Sequence, residues 1–218
     1  MKVVIFGTGE FAQLAHVYLT KDSPYEVAAF TVNEDYIKEK ELFGLPIVPF
    51  EEIEKHYPCD EFKMFIAVGY SNTNKVRAEK YYEAKDKGYE LISYINSKVV
   101  LWEVAEIGDN CFIAENLTIL PFVKIGNNVV IWSGSLIAHH SVIGDHCFVS
   151  AHVAVAGNVR VEPYCFLGIN STIRDGITIA RECVIGMGAV IARDTQEKGV
   201  YIAKPAALYP YDSSKIRI

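Results

Sequence analysis

From Ile107 to Ile191 every sixth residue is Ile, Val or Leu, fifteen positions in succession without an insertion, running through Ile113, Ile119, Ile125 and Ile131 to Val161, Leu167 and Ile185. A period of six fits neither the turn of an α-helix nor the simple alternation of a flat strand. It suits a short strand and a turn, repeated. Three such units close one triangular coil of about eighteen residues. Gly or Ala follows most of these aliphatics, as at Gly108, Ala114, Gly126, Ala138 and Gly144, and lets the backbone bend tightly beside its neighbour. Small or aliphatic residues recur four places after the aliphatic, among them Cys111, Val129, Ser135, Cys147 and Val153. Stacked coils then bury a column of aliphatics and pair each strand with the coils above and below, leaving only two ends to cap. The segment reads as a parallel β-helix of about five coils.

The same period disposes of a metal reading. Cys111, Cys147, Cys165 and Cys183 are separated by multiples of eighteen residues, so the coil places them in one column, with Val129 in the gap. A stacked column offers no tetrahedral convergence, and no metal is expected. Inward packing makes these cysteines small buried hydrophobes rather than disulfide partners. Cys59 falls in a loop and carries no signal. The net charge of −6 provides no basic footprint, which argues against nucleic acid as a partner. No run of eighteen apolar residues suggests a membrane span, and the opening Met-Lys leads into a strand, so a cytoplasmic protein is expected.

Ahead of the repeats, Lys2 to Phe6 reads as a buried strand, followed by Gly7-Thr8-Gly9-Glu10 and an amphipathic helix to about Thr20. Val27 to Thr31 reads as a second strand, Glu51 to His56 as a short helix, Lys63 to Val68 as a strand, Asn72 to Lys87 as a helix capped by Ser71, and Glu90 to Ile95 as the last strand. Alternating strands and helices predict a small parallel sheet with nucleotide-binding geometry at its carboxyl edge. The glycine turn is poorly matched to NAD. Its third glycine position falls at Ala12, Val32-Asn33 supplies no carboxylate for a ribose diol, and Glu10 sits where a pyrophosphate would lie. A strand-to-helix turn without any ligand is the alternative.

In the order aliphatic, small, two variable, small, variable, the repeat resembles that of the hexapeptide-repeat acyltransferases. The resemblance implies a left-handed coil, a homotrimer and acetyl-CoA bound between coils of adjacent subunits. A small Rossmann-like domain joined directly to such a β-helix is similar to the bacterial acetyltransferases of 4-amino sugar nucleotides and to the sialic acid O-acetyltransferases. The expected α/β fold is therefore a Rossmann-like sugar-nucleotide-binding domain over 1–97, a left-handed parallel β-helix over 98–195, and a C-terminal cap or tail over 196–218.

Registered on that family, the turn Ile137-Ala138-His139-His140-Ser141 implies His139 as general base, with His140 where relatives carry an acidic neighbour. Imidazole suits the task, because the attacking amine or hydroxyl must lose a proton near neutral pH as it bonds to the thioester carbonyl. Direct transfer needs no acyl-enzyme. An oxyanion donor is expected one coil above, at Gly157 or Asn158, and an orienting acid at Asp145 or in an adjacent subunit. A second possibility is that both histidines belong to a solvated corner. The resemblance further implies that Gly157, Asn158, Ile169 and Met187 line the pantetheine arm, with Phe148 nearby. Arg174, Arg193 and Lys204 are either CoA phosphate contacts or plain surface charges. Gly7, Thr8, Gly9, Asn33 and Gly69 would approach the sugar nucleotide, although Val32 and Asn33 stand where relatives often carry paired Asp residues. The implied activity is acetyl-CoA-dependent N-acetylation of a nucleotide-linked amino sugar, a 4-amino-6-deoxyhexose, in polysaccharide biosynthesis. O-acetylation of sialic acid or another sugar hydroxyl is one alternative, and a non-catalytic trimeric nucleotide-binding scaffold is another.

Overall fold

The computed structural model describes residues 1–208 and Pro210. The remainder of the expected 196–218 tail lies outside the described residues. Strand β1 (Lys2–Phe6) is apolar and buried after its first residue, which makes it the centre of a sheet rather than an edge. It pairs in parallel with β2 (Glu26–Val32) on one side and β5 (Phe62–Ile66) on the other. A hairpin, β3 (Glu41–Leu42) and β4 (Leu45–Pro49), lays β4 parallel to β2 and completes the order β3-β4-β2-β1-β5. Helix α1 (Glu10–Asp22) buries Ala12, Ala15 and Leu19. The short α2 (Ile53–His56) and the longer α3 (Lys75–Asp86) follow. The chain passes from β1 to β2 on one side and later returns to β5 on the other, so the switch point of the sheet lies at the carboxyl end of β1.

Two expectations about this half need correction. Helix α3 starts at Lys75, and Ser71 does not cap it, because Asn72, Thr73 and Asn74 intervene with left-handed φ values of 50°, 49° and 66°. The side chain of Asn74 is spent instead on the coils, donating to the carbonyls of Tyr164 and Cys165 at 3.3 and 3.1 Å. Nor is Glu90 to Ile95 one strand of the N-terminal sheet. Leu91 makes a single bridge to Met64, after which Tyr94–Ile95 pairs with Phe112–Ile113 as the first strand of the β-helix.

The stacked strands run from Tyr94–Ile95 to Val200–Tyr201, past both ends of 98–195, and form a left-handed parallel β-helix. Partners in neighbouring coils are eighteen residues apart, as in Thr118↔Leu136 and Ile119↔Ile137. From Glu106–Ile107 to Val190–Ile191 the second residue of each strand is the periodic aliphatic, and from Ile113 onward these side chains are all buried. The first residue points outward, and its chemistry gives the prism three different faces. One carries Tyr94, Phe112, Val130, Phe148, Phe166 and Val184, and is covered by the N-terminal domain. A charged face presents Glu106, Lys124, Val142, Arg160 and Thr178. The third presents Val100, Thr118, Leu136, Ala154, Thr172 and Val190, without a single charge; Val190 is 73% exposed.

Every residue three places after a periodic aliphatic, from Asn110 to Gly188, has φ between 50° and 74°. These left-handed residues make the corners. Asn and His tolerate that conformation better than most side chains, and the corners hold Asn110, Asn116, Asn128, Asn158 and Asn170 together with His140, His146 and His152. The cysteine column is buried and unpaired. The thiols are more than passive filling, since Cys111, Cys147 and Cys165 point at carbonyls fifteen residues on, at 3.1 to 3.2 Å. Burial pushes the Cys111 thiol up to about 12 and raises Cys183 as well, which disfavours the thiolate form at both.

The two domains share one core and several polar contacts, of which the most buried gathers around one guanidinium. Arg77, on α3, is fully buried and donates to the carbonyls of Gly69, Asn128, His146 and Cys147 and to the side chain of Asn74. Beside it Asn110 donates to Asn128, which in turn lies 2.9 Å from His146 Nδ1, while His146 Nε2 lies 3.0 Å from the Tyr82 hydroxyl. Asn128 Nδ2 donates, so His146 Nδ1 accepts and the buried ring is neutral. Burial lowers its pKa from 6.5 to about 4. Between those two values the unfolded chain binds a proton that the folded site refuses, so stability falls as pH falls and is unaffected above the upper one. Urea denaturation across this window should show losses of up to about 1.4 kcal/mol per pH unit from this group, and His146→Asn should flatten the slope.

Candidate active site

The corner after Leu136–Ile137 joins the uncharged face to the charged one, and there His139 and His140 are both exposed. His140 occupies the left-handed corner position at φ 58°, so the backbone accounts for a residue of its type. His139 occupies the position before it, where no repeat needs a histidine. Its ring lies flat on the next coil. A Cβ added to Gly157 would fall 2.6 Å from its Cε1 and 2.8 Å from its Nε2, so this glycine is the space that admits the imidazole.

Of the two expected oxyanion donors, Asn158 is taken, because its N–H donates to the His139 carbonyl at 3.0 Å. The Gly157 N–H has no acceptor among the described residues and remains available. Asp145 does not orient His139. It accepts the Asn127 N–H at 2.7 Å at a different corner. What meets His139 is its neighbour: Nδ1 lies 3.2 Å from Nδ1 of His140. The His140 ring packs in turn against Phe122, one coil below, at a centroid distance of 4.7 Å and an interplanar angle of 34°. With both rings neutral, one Nδ1 carries the proton and the other accepts it. If His139 donates, its Nε2 lone pair is left free beside Gly157.

A second concavity, of about 720 Å³, opens at the carboxyl edge of the N-terminal sheet. Gly7, Thr8, Gly9 and Gly69 all line it, together with Phe11 and Tyr70. Gly7 is required by the backbone itself, with φ 115° and a hypothetical Cβ only 2.8 Å from the Ala67 carbonyl. Asn33 lines an adjoining cavity of about 410 Å³ that shares Phe6, Val32, Tyr36 and Val68 with the first. Tyr70 rests on Phe148 and Phe166, with centroids 4.9 and 5.0 Å away. Phe148 itself is buried under that loop on the covered face. Ile169 and Met187 are exposed, one coil apart, at the corner between the covered and uncharged faces, and Lys204 is exposed beyond the last strand. The predicted residues thus form two groups on one chain: His139, His140, Gly157 and Asn158 along one edge of the uncharged face, and Ile169 and Met187 along the other, beside the domain that holds the nucleotide-type cavity.

Residues 105–139 and 122–157 match the family model of the bacterial transferase hexapeptide (six repeats), and residues 158–193 match that of the hexapeptide repeat of succinyl-transferase. Together the two hexapeptide-repeat models match residues 105–193. No curated protein sequence matches the chain. Among solved structures, PerB from Caulobacter crescentus, in complex with CoA and GDP-perosamine, is similar with a TM-score of 0.81 and 25% identity, over 92% of this chain and 93% of that one. WeeI from Acinetobacter baumannii (TM-score 0.80, 20% identity, 95% and 99% covered) and the acetyltransferase domain of PglB from Neisseria gonorrhoeae (0.78, 18%, 91% and 95%) share the fold. The likeness includes both domains and their junction.

No helix among the described residues is long and apolar enough to cross a membrane, and no group of three or more His, Cys, Asp or Glu among them is placed to hold a metal. The His139–His140 geometry has a direct spectroscopic consequence. Long-range nitrogen–proton correlation on labelled protein should find the two rings in opposite tautomers, one protonated on Nδ1 and the other on Nε2, with His139 on Nδ1 in the arrangement that leaves its Nε2 free, and His140→Ala should remove the bias. Equal populations of the two His139 tautomers in the unsubstituted protein would refute it.

Proposed function

We propose that this chain is an acetyl-CoA-dependent N-acetyltransferase acting on the amino group of a nucleotide-linked amino sugar. The observation that carries the reading is the full-length likeness to PerB, bound to CoA and GDP-perosamine, in a chain that sets a histidine with no structural duty against a glycine on the next coil. The neutral amine of the sugar attacks the thioester carbonyl while His139 Nε2 accepts its proton. A C–N bond forms, the C–S bond breaks, and CoA leaves as the thiolate, which takes up that proton as free thiol. The Gly157 N–H is the available donor for the developing oxyanion. His140 positions the base without touching substrate, by holding its tautomer.

A homotrimer completes the site in this reading. On one protomer the nucleotide cavity and His139 lie toward opposite edges of the uncharged face. A ring closed through that face brings the His139 edge of one copy to the Ile169–Met187 edge of the next, and acetyl-CoA occupies the seam. The absence of any charge from six successive outward positions supports this, since an exposed sheet face ordinarily carries charges. Exposed Ile169 and Met187 offer apolar surface and backbone to a pantetheine arm. Lys204 meets the CoA phosphates at the far end of the seam.

Thiol release from acetyl-CoA with a panel of amino-sugar nucleotides tests the activity, with hydroxy-sugar counterparts and sialic acid run in parallel. Amino sugars should react, and His139→Ala should lower kcat at least about a hundredfold with an unchanged melting temperature. Acetylation of the hydroxy sugars alone would replace the N-acetyl reading with O-acetylation. Failure to bind CoA would leave only a scaffold. For the assembly, Val190→Asp should convert a trimer to folded, inactive monomers in sedimentation analysis, whereas Lys124→Asp on the charged face should change neither mass nor rate.

A further inference from the structure

The residue after β2 in a nucleotide-binding α/β sheet commonly supplies a carboxylate to the ribose, and here that position is Asn33. A carboxylate reaches the same place from another strand. Because β4 pairs with β2 in the register Val32↔Pro49, the turn after β4 carries Glu51 alongside Asn33. Asn33 Nδ2 donates to Glu51 Oε1 at 2.8 Å, and the Glu34 N–H donates to Oε2 at 3.1 Å. Glu51 is exposed, so holding it costs side-chain entropy with little burial in return. Each oxygen keeps a further lone pair directed away from the two bonds, and the Asn33 carbonyl oxygen is also unused. Burial would raise the Glu51 pKa, but the bonds from Asn33, its own backbone and Glu34, with the nearby charge of Lys80, together lower the value, so the group is ionised at neutral pH. The adjoining cavity of about 410 Å³ is lined by the apolar Val32, Val68 and Val76 and by the charged Glu79 and Lys80 beside Asn33, and it shares Phe6, Val32, Tyr36 and Val68 with the larger concavity at the glycine turn.

We infer that Asn33 and Glu51 form a composite acceptor pair that fixes the nucleoside end of the substrate through two neighbouring donors. The chemistry is a pair of adjacent O–H or N–H groups, found in the vicinal diol of a ribose and in the N1–H and N2–H edge of guanine. This rests on the nucleotide-sugar reading above and assigns Glu51 a role within it. The sugar and pyrophosphate then extend along Gly7-Thr8-Gly9 toward Tyr70.

Calorimetric titration of the full-length protein with UDP, GDP and 2′-deoxy-GDP tests the assignment without any acetyl transfer. Glu51→Gln should weaken nucleotide binding at least tenfold, with CoA affinity and melting temperature unchanged. If the donors are the ribose hydroxyls, UDP and GDP bind alike and 2′-deoxy-GDP is as weak in the unsubstituted protein as GDP is in the variant. If they are the guanine edge, GDP is preferred over UDP at least tenfold, the preference vanishes in Glu51→Gln, and the deoxy sugar makes no difference. Unchanged binding in Glu51→Gln would overturn the inference, as would a loss accompanied by neither pattern, or no nucleotide binding at all. An absence of thiol release beside a clear Glu51 effect would instead remove the acetyltransferase reading and leave the nucleoside site standing.

Discussion

A fully buried guanidinium, that of Arg77, ties the two halves of this molecule together. It has no carboxylate partner. Its charge is met by carbonyl oxygens, those of Asn128, His146 and Cys147 on successive coils and that of Gly69 at the edge of the nucleotide-type cavity. Burial lowers its pKa to about 10, which still leaves it protonated at neutral pH. A planar fork with five donors can span carbonyls on different elements, as a lysine ammonium cannot. The same group therefore ties the stacking of the coils to the placement of a cavity wall. Asn74, in its left-handed conformation at the start of α3, extends the joint to Tyr164 and Cys165.

The second constraint is the repeated corner. A left-handed residue at every turn of the prism selects Asn, Gly and His for reasons of backbone alone. That sorts the histidines of the repeats. His140, His146 and His152 are corner residues, and their identity would be explained in a protein with no chemistry at all. His139 is one place earlier, at a position filled elsewhere by Asp109, Pro121, Asn127, Ala151 or Met187. Nothing in the coil asks for an imidazole there, and Gly157 clears the space above it.

This separation shows what could be read from the chain and what could not. The coil, the cysteine column and the stacking of His139 under Gly157 all follow from counting in sixes and eighteens, because a β-helix converts sequence distance into spatial distance at a fixed rate. The exclusion of Asp145 follows only from the coordinates, since the count places it on another corner but does not say what it binds. The N-terminal domain has no such ruler. Asn33 meets Glu51 through the pairing of β2 with β4, and Arg77 meets coils fifty to seventy residues away through helix docking. Neither contact leaves a periodic trace. The start of α3 was hidden for a related reason: Asn72-Thr73-Asn74 has the composition of a helix cap, while packing against the coils dictates its conformation.

The three faces of the prism carry this logic into assembly. Each outward position repeats every eighteen residues, so repetition gives each face its own chemistry: one charged, one covered by the N-terminal domain and one without a charge. In the proposed trimer, where the nucleotide-type cavity and the candidate base come together from the two edges of the uncharged face, the distance between amine and imidazole would be set by two interfaces in series. One is the Arg77 joint within a protomer, and the other is the seam between protomers. A polar joint built from geometrically demanding carbonyl contacts suits the first better than an apolar one would, because hydrophobic packing tolerates small sliding movements whereas a guanidinium shared among several carbonyls does not. In the proposed assembly, the Arg77 joint would hold the nucleotide-type cavity in the fixed position that alignment with a base from a neighbouring subunit requires.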